Sequence, residues 1–144
     1  MRELVRDFIR NEGMVLPSSF VVEVYSQILR FAGGFAGLIQ AGSRKAGESA
    51  ARVFKEKYRS SLDISEIPEL LTVFFQESGF GNLKVELRGD VLVIEVSDSP
   101  LLQVKGKVES ALKPLQGAVE GFLSEMLGKK VTGSIKERVI EVKI

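Results

Sequence analysis

Up to about residue 78 the apolar positions of the chain recur every three to four residues. From residue 83 to 96 they recur every second residue, and the same succession of helical and then alternating spacing repeats to residue 144. Leu4, Val5, Phe8 and Ile9 predict a short amphipathic helix over 1–11, with Arg2, Arg6 and Arg10 at i+4 steps on another face. That arginine stripe is either a solvated surface or a contact for an anionic partner. Pro17 followed by Ser18 and Ser19 starts a second helix over 18–32, carried by Val21, Val24, Ile28 and Phe31. Gly33 and Gly34 interrupt it, and a long third helix is expected over 34–58. One of its faces reads Phe35, Ile39, Gly42, Ala46, Ala50, Val53 and Phe54, bulky at the ends and small in the middle. The opposite face carries Arg44, Glu48, Arg52 and Glu56 with alternating sign, the pattern of a solvent-facing surface. Asp63 and Glu66 have capping-box spacing for a fourth helix over 65–78, through Leu70, Leu71, Phe74 and Phe75 to a stop at Gly79, with Pro68 blurring its start.

Leu83, Val85 and Leu87 alternate with Lys84, Glu86 and Arg88, and Leu92, Ile94 and Val96 follow Gly89-Asp90, which predicts a hairpin over 83–96. A two-residue loop there sets Leu87 against Leu92, Val85 against Ile94 and Leu83 against Val96 on one face, and pairs Lys84 with Glu95 on the other. The same loop accounts for the Arg88-Gly89-Asp90 tripeptide without a role in cell adhesion. Val108, Ala111, Leu112 and Leu115 have helical spacing but are broken by Pro114. A fifth helix over 114–127 carries Leu115, Val119, Phe122 and Met126 and stops at Gly128, and a second hairpin over 130–144 turns near Lys136 and Glu137. The expectation is an α/β fold of the α+β type as a single domain over 1–144. A four-stranded antiparallel sheet from two hairpins packs against about five helices, the N-terminal one peripheral.

Composition narrows the chemistry more than it names it. The chain has 44% hydrophobic residues and a formal net charge of +1, enough for a core and too little positive charge to favour nucleic acid. With no cysteine and no histidine, it cannot build a Cys/His zinc site, a disulfide, a thiol nucleophile or a serine–histidine triad. The longest apolar run, Phe31 to Ile39, is too short for a transmembrane helix, and Arg2, Arg6, Asp7 and Arg10 break up any signal-peptide pattern, so a cytoplasmic protein is expected. Gly42 to Gly47 has phosphate-loop spacing but continues Glu48-Ser49 where lysine and a hydroxyl residue are required, so the motif fails. Glu66, Glu69, Glu77, Glu86, Glu95 and Glu120 are scattered over predicted solvent faces, and no catalytic constellation emerges.

Gly33 with Gly37, and Gly117 with Gly121, have the small-xxx-small spacing of closely approaching helices. The alternative is that the missing side chains shape a dry apolar cavity. Candidate ligand-binding residues on that reading are Phe31, Phe35, Leu38, Gly42, Ala46, Gly117, Gly121 and Phe122.

Three segments in order, Ala41-Gly42-Ser43-Arg44-Lys45-Ala46-Gly47-Glu48, Gly79-Phe80-Gly81 and Leu115-Gln116-Gly117-Ala118-Val119-Glu120-Gly121-Phe122-Leu123, resemble the 4-vinyl reductase domain family, which is similar to the subunits of the transport protein particle tethering complex. The resemblance spans roughly Ser18 to Ile144. It implies a sheet of two hairpins packed on helices, a homodimer joined through N-terminal helices, and binding of small, largely apolar molecules. In the tethering subunits an acyl chain fills an apolar channel. Members commonly carry cysteines after the long helix and in the last hairpin, sometimes with an acidic residue in the third strand. This chain has no cysteine, and Gly133 and Ser134 stand where the acid would fall. A cysteine-bound metal or thioester-linked chain is therefore excluded, no cofactor is expected, and any guest is held noncovalently.

The resulting expectation is a homodimeric domain that binds a small apolar or amphipathic ligand as carrier, sensor or regulatory module. Two alternatives stand beside it. One is a protein-interaction or tethering subunit with a filled core. The other is an accessory to a vinyl-group reductase, which would need a separate redox partner because no nicotinamide or flavin fingerprint is present.

Overall fold

The computed structural model describes residues 1–144. Its sheet begins with β1 (Asn82–Arg88) and β2 (Val91–Asp98), paired antiparallel with Leu87 opposite Leu92, Val85 opposite Ile94, Leu83 opposite Val96 and Lys84 opposite Glu95. This is the register that a two-residue loop demands, and Gly89 takes the left-handed conformation at φ 64° that glycine adopts without a Cβ penalty. β3 (Thr132–Lys136) and β4 (Val139–Lys143) form the second hairpin. The hairpins join through β2 and β4, giving the order β1-β2-β4-β3, with Ile94 opposite Ile140 and Leu92 opposite Val142. Alternation then puts Leu92, Ile94, Val96, Ile140 and Val142 on the buried face and Lys84, Glu86, Glu95 and Glu141 in solvent.

Six helices accompany the sheet: α1 (Arg2–Glu12), α2 (Ser18–Phe31), α3 (Ala36–Lys57), α4 (Ile67–Glu77), the single turn α5 (Val108–Ala111) and α6 (Lys113–Leu127). Gly33–Phe35 form a 3₁₀ turn before α3, and Ile64–Glu66 another before α4. The Asp63 backbone N–H donates to the Glu66 carboxylate at 3.0 Å, so the capping-box spacing is realised. Pro68 and Pro114 both lie in first turns, where a missing N–H costs nothing, and Pro114 is what separates α5 from α6. Gly128 closes α6 at φ 65°. α4 lies on β1, α1 on α4, and α3 against α6.

The α3–α6 contact is backbone against backbone. A Cβ at Gly117 would sit 2.2 Å from the Gln40 carbonyl oxygen, one at Gly121 1.9 Å from that of Arg44, and one at Gly47 2.2 Å from that of Ala118. The small-xxx-small spacing at Gly117 and Gly121 therefore serves helix approach.

That approach corrects the charge reading of α3. Arg44 and Glu48 are not a solvent face: their side chains are only 22% and 16% exposed, because α6 lies over them. Glu120, taken from the sequence as a surface acid, is buried. Its carboxylate accepts hydrogen bonds from Gln40 Nε2 at 2.6 Å, Arg44 Nη1 at 3.2 Å and the Gly133 N–H at 3.2 Å. Ser124 Oγ accepts from Arg44 Nη2 at 3.1 Å and from the Val131 N–H at 2.9 Å. A buried charge is tolerable only when paired and fully hydrogen-bonded. Here two side chains of α3 and one backbone N–H of β3 supply the donors, which no local pattern announces.

Candidate ligand cleft

Gly47 of α3 touches the α6 backbone at Ala118 and borders an apolar hollow. An apolar lobe of about 300 Å³ opens there, walled by Ala46 and Ala50 of α3, Phe74 of α4, and Leu115, Ala118 and Phe122 of α6. The small side chains of α3 leave the space, and Phe74 and Phe122, with ring centroids 5.5 Å apart, close its floor. A wider lobe of about 760 Å³ continues from it beneath α1 and the Gly13–Leu16 connector, past Val53, Phe80 and Leu101. Ala50, Phe74 and Ser78 line both lobes, so the two lie side by side along α3 and α4. Each lobe falls within the size range of small-molecule sites. Ser78 Oγ is the polar group at the junction. It donates to the Phe75 carbonyl at 3.2 Å and keeps its lone pairs free for a guest's hydroxyl.

α1 is the outer wall. Val5 and Phe8 are buried, and the Phe8 ring meets Phe54, Tyr58 and Phe74 edge-on at 5.6, 5.5 and 5.3 Å. Arg6 Nε donates to Glu77 Oε2 at 2.9 Å, and the Arg2 guanidinium engages the other oxygen. At the far end Lys57 pairs with Glu12 at 2.8 Å, and Asn11 donates to the Tyr58 hydroxyl at 3.0 Å. Arg2 and Arg6 thus serve an internal clamp, which neither reading of the arginine stripe foresaw, because Glu77 lies 71 residues away from Arg6.

Hydrogen bonds from Arg6 and then Arg2 hold the Glu77 carboxyl below the usual carboxylate range. A depressed folded value contributes stability above the unfolded pKa, and that contribution is lost as pH falls through the folded value. Acidification below about pH 4 is expected to release α1 before the sheet, seen as faster hydrogen exchange of residues 2–12 with β2 still protected. Glu77→Gln should produce the same loosening at pH 7. Tyr25 behaves differently. Burial pushes its hydroxyl up to about 12, and it donates to the Ser110 carbonyl as a neutral strut outside the cleft.

The cleft brings together only part of the residue set predicted from the sequence. Ala46 and Phe122 border the apolar lobe. Gly117 and Gly121 lie in the helix contact instead. Phe31, Phe35 and Leu38 are exposed on the outer surface, and a Cβ at Gly42 would meet nothing within 4 Å. These four do not converge with Phe122, because the stripe from Phe35 to Ala46 faces away from the core until it reaches Ala46. The lining that sequence reasoning missed is Phe8, Phe74, Ser78 and Leu115. Phe74 and Leu115 read as core residues, and the docking of α1 over α4 has no local signature.

The chain's fold is similar to the crystal structure of the phenol-responsive sensory domain of the transcription activator PoxR with phenol. The TM-score is 0.68 at 16% sequence identity, over 99% of this chain and 89% of that one. No known family model matches the chain, and no curated protein does. The likeness therefore speaks to architecture, an α+β fold shared with a small-molecule sensory domain. No helix is long and apolar enough to cross a membrane.

Proposed function

We propose that this chain binds a small apolar or amphipathic molecule noncovalently in the cleft between α3, α4 and α6, and acts as a homodimeric sensor, carrier or regulatory module. The observation that carries the reading is the apolar lobe itself, about 300 Å³ of space walled almost wholly by hydrophobic side chains. Apolar surface of that character favours an apolar guest, which takes it out of contact with water. A single hydroxyl at its junction, on Ser78, suits a guest with one polar atom, such as a phenol or a fatty alcohol. The fold shared with a phenol-responsive domain supports the same class of ligand. A cytoplasmic setting agrees with the lack of any helix able to span a membrane.

Thermal denaturation with phenol, 4-alkylphenols and medium-chain fatty acids tests this directly. A ligand present at a hundred times its dissociation constant adds about 2.7 kcal/mol, which for a chain of this size is a rise of roughly 6–10 °C. No shift with any of these compounds, together with denaturing extraction that releases no bound molecule, would count for the interaction-subunit reading. That second reading has its own support in the exposed apolar side chains of α2 and the start of α3.

A further inference from the structure

A separate polar hollow of about 570 Å³ lies between the C-terminal half of α2 and the Val104–Lys107 connection that leads into α5. It shares no lining residue with the apolar cleft, and Leu29 is the single hydrophobic side chain in its wall. Arg30, Lys105 and Lys107 supply its positive charge. More than half of the lysines and arginines in the chain have a carboxylate within 4.0 Å, but these three have none. The one acid in the wall, Glu23, already accepts from Gln27 Nε2 at 2.8 Å. Glu109, the other acid near Lys107, accepts from the Glu137 N–H at 3.0 Å and stands outside the wall. Like charges gathered in one concavity without counter-ions raise the local potential and draw in an anion. The hollow beside Arg44, Lys55, Lys129 and Lys130 lacks this character, because Glu48 and Glu125 lie in it as counter-ions.

The wall is held from beneath by buried polar groups. The Tyr25 hydroxyl donates to the Ser110 carbonyl, and the Lys105 N–H donates to Ser26 Oγ at 3.2 Å, so α2 anchors both the connection and α5. Gly106 takes φ 134°, a conformation that residues with a Cβ rarely adopt, and the lysines on either side of it both line the hollow. Ser26 is only 5% exposed and also lines it, and its hydroxyl proton has no acceptor within the protein. A buried donor without an acceptor is costly. The cations beside it cannot accept a hydrogen bond, so the group that would complete the site is an anionic acceptor. Arg30 sets its guanidinium over the Phe31 ring at 5.3 Å, which engages the face of the group and leaves its N–H edge for a two-oxygen contact.

We propose that this hollow binds a doubly charged oxyanion of the phosphate type, held by Arg30, Lys105, Lys107 and the Ser26 hydroxyl. A phosphate group on a small molecule carries about two negative charges at pH 7 and three acceptor oxygens, which matches the surplus charge of the wall and its free donors. The volume leaves room beside the phosphate for the remainder of a small phosphate monoester. Titration of the isotopically labelled full chain with inorganic phosphate and with glycerol phosphate, read by amide chemical shifts at constant ionic strength, tests the site whatever the apolar cleft holds. Saturable shifts centred on Arg30, Gly33 and Lys105–Lys107 are expected. The double variant Lys105→Gln, Lys107→Gln should bind both compounds at least about tenfold more weakly, and, relieved of uncompensated charge, should melt no lower than the parent. Arg30→Gln should weaken binding more than Arg30→Lys, which keeps the charge and loses the fork. Tighter binding of glycerol phosphate than of phosphate identifies the ester as the source of the group, and equal affinity identifies the free oxyanion; the site stands in both cases. Undiminished affinity in the double variant, shifts that chloride reproduces at the same ionic strength, or non-saturating shifts spread equally over Lys129 and Lys130 overturn it.

Discussion

Gly121→Ala is expected to destabilise the protein by about 3 kcal/mol or more, lowering the melting temperature by roughly 10 °C. One methyl group does this because its carbon would be placed 1.9 Å from the Arg44 carbonyl oxygen and 2.7 Å from the carbonyl carbon. Backbone cannot swing aside as a side-chain tip can, so α3 and α6 must separate along their whole contact, the most extensive between any two elements of the fold. The separation also pulls Arg44 from Glu120, which is buried and relies on that guanidinium for one of its three donors. Loss of a partner to a buried charge costs several kcal/mol, so the steric and electrostatic penalties act in the same direction. Gly42→Ala is the matched control. It lies in the same helix as Arg44 and opens on empty space, so in the monomer the alanine should be neutral or stabilising by up to about 1 kcal/mol through lower unfolded-state entropy. Chemical denaturation of the two variants side by side separates a packing glycine from a surface one, which spacing in the sequence could not do.

The contrast shows what was legible in this chain and what was not. Both hairpins could be read because strand register depends on neighbours: alternation in Leu83–Val96 and a two-residue loop leave one pairing, and that pairing is observed. The break before α6 and its end were legible for the same reason, since Pro114 and Gly128 act within one turn of where they stand, whereas Pro68 left the start of α4 open. The direction a helix faces was not. α3 has two stripes of small and apolar residues, one through Gly42 and Ala46 and one through Gly47, Ala51 and Phe54; only the second is buried. Choosing between them requires knowing that α6 brings its own glycines to Gln40 and Arg44. The alternating charges on Arg44 and Glu48 pointed to solvent by local rule, and the buried Glu120 that reverses it comes from a helix 76 residues further along. The site suffered accordingly. Ala46 and Phe122 border the candidate cleft as members of stripes, whereas Phe8 and Ser78 come to it only through the docking of α1 on α4 and the way that helix ends.

Ala50→Phe is expected to lower the affinity for phenol, or for any other apolar guest found by thermal shift, by at least thirtyfold while leaving the protein at least as stable as before. Ala50 is half-buried and borders both lobes, so a benzyl group grown from its Cβ projects into the junction and occupies the volume a ring-sized guest needs. In a filled core the same substitution would force strain costing about 1–3 kcal/mol. In a vacant apolar lobe it buries new surface without displacing any, and gains up to about 1 kcal/mol. The two readings of the interior therefore predict opposite signs of stability change from one variant, before any ligand is added. Binding supplies the second axis. Isothermal titration that shows lost affinity and preserved stability locates the guest in the junction, while a strongly destabilised variant means that the chain packs there and carries no guest. Unchanged affinity in a stable variant would move the guest outward, into the wider lobe under α1. There the Arg2 and Arg6 clamp on Glu77 would govern access, and acid release of α1 should then raise the rate at which the guest leaves.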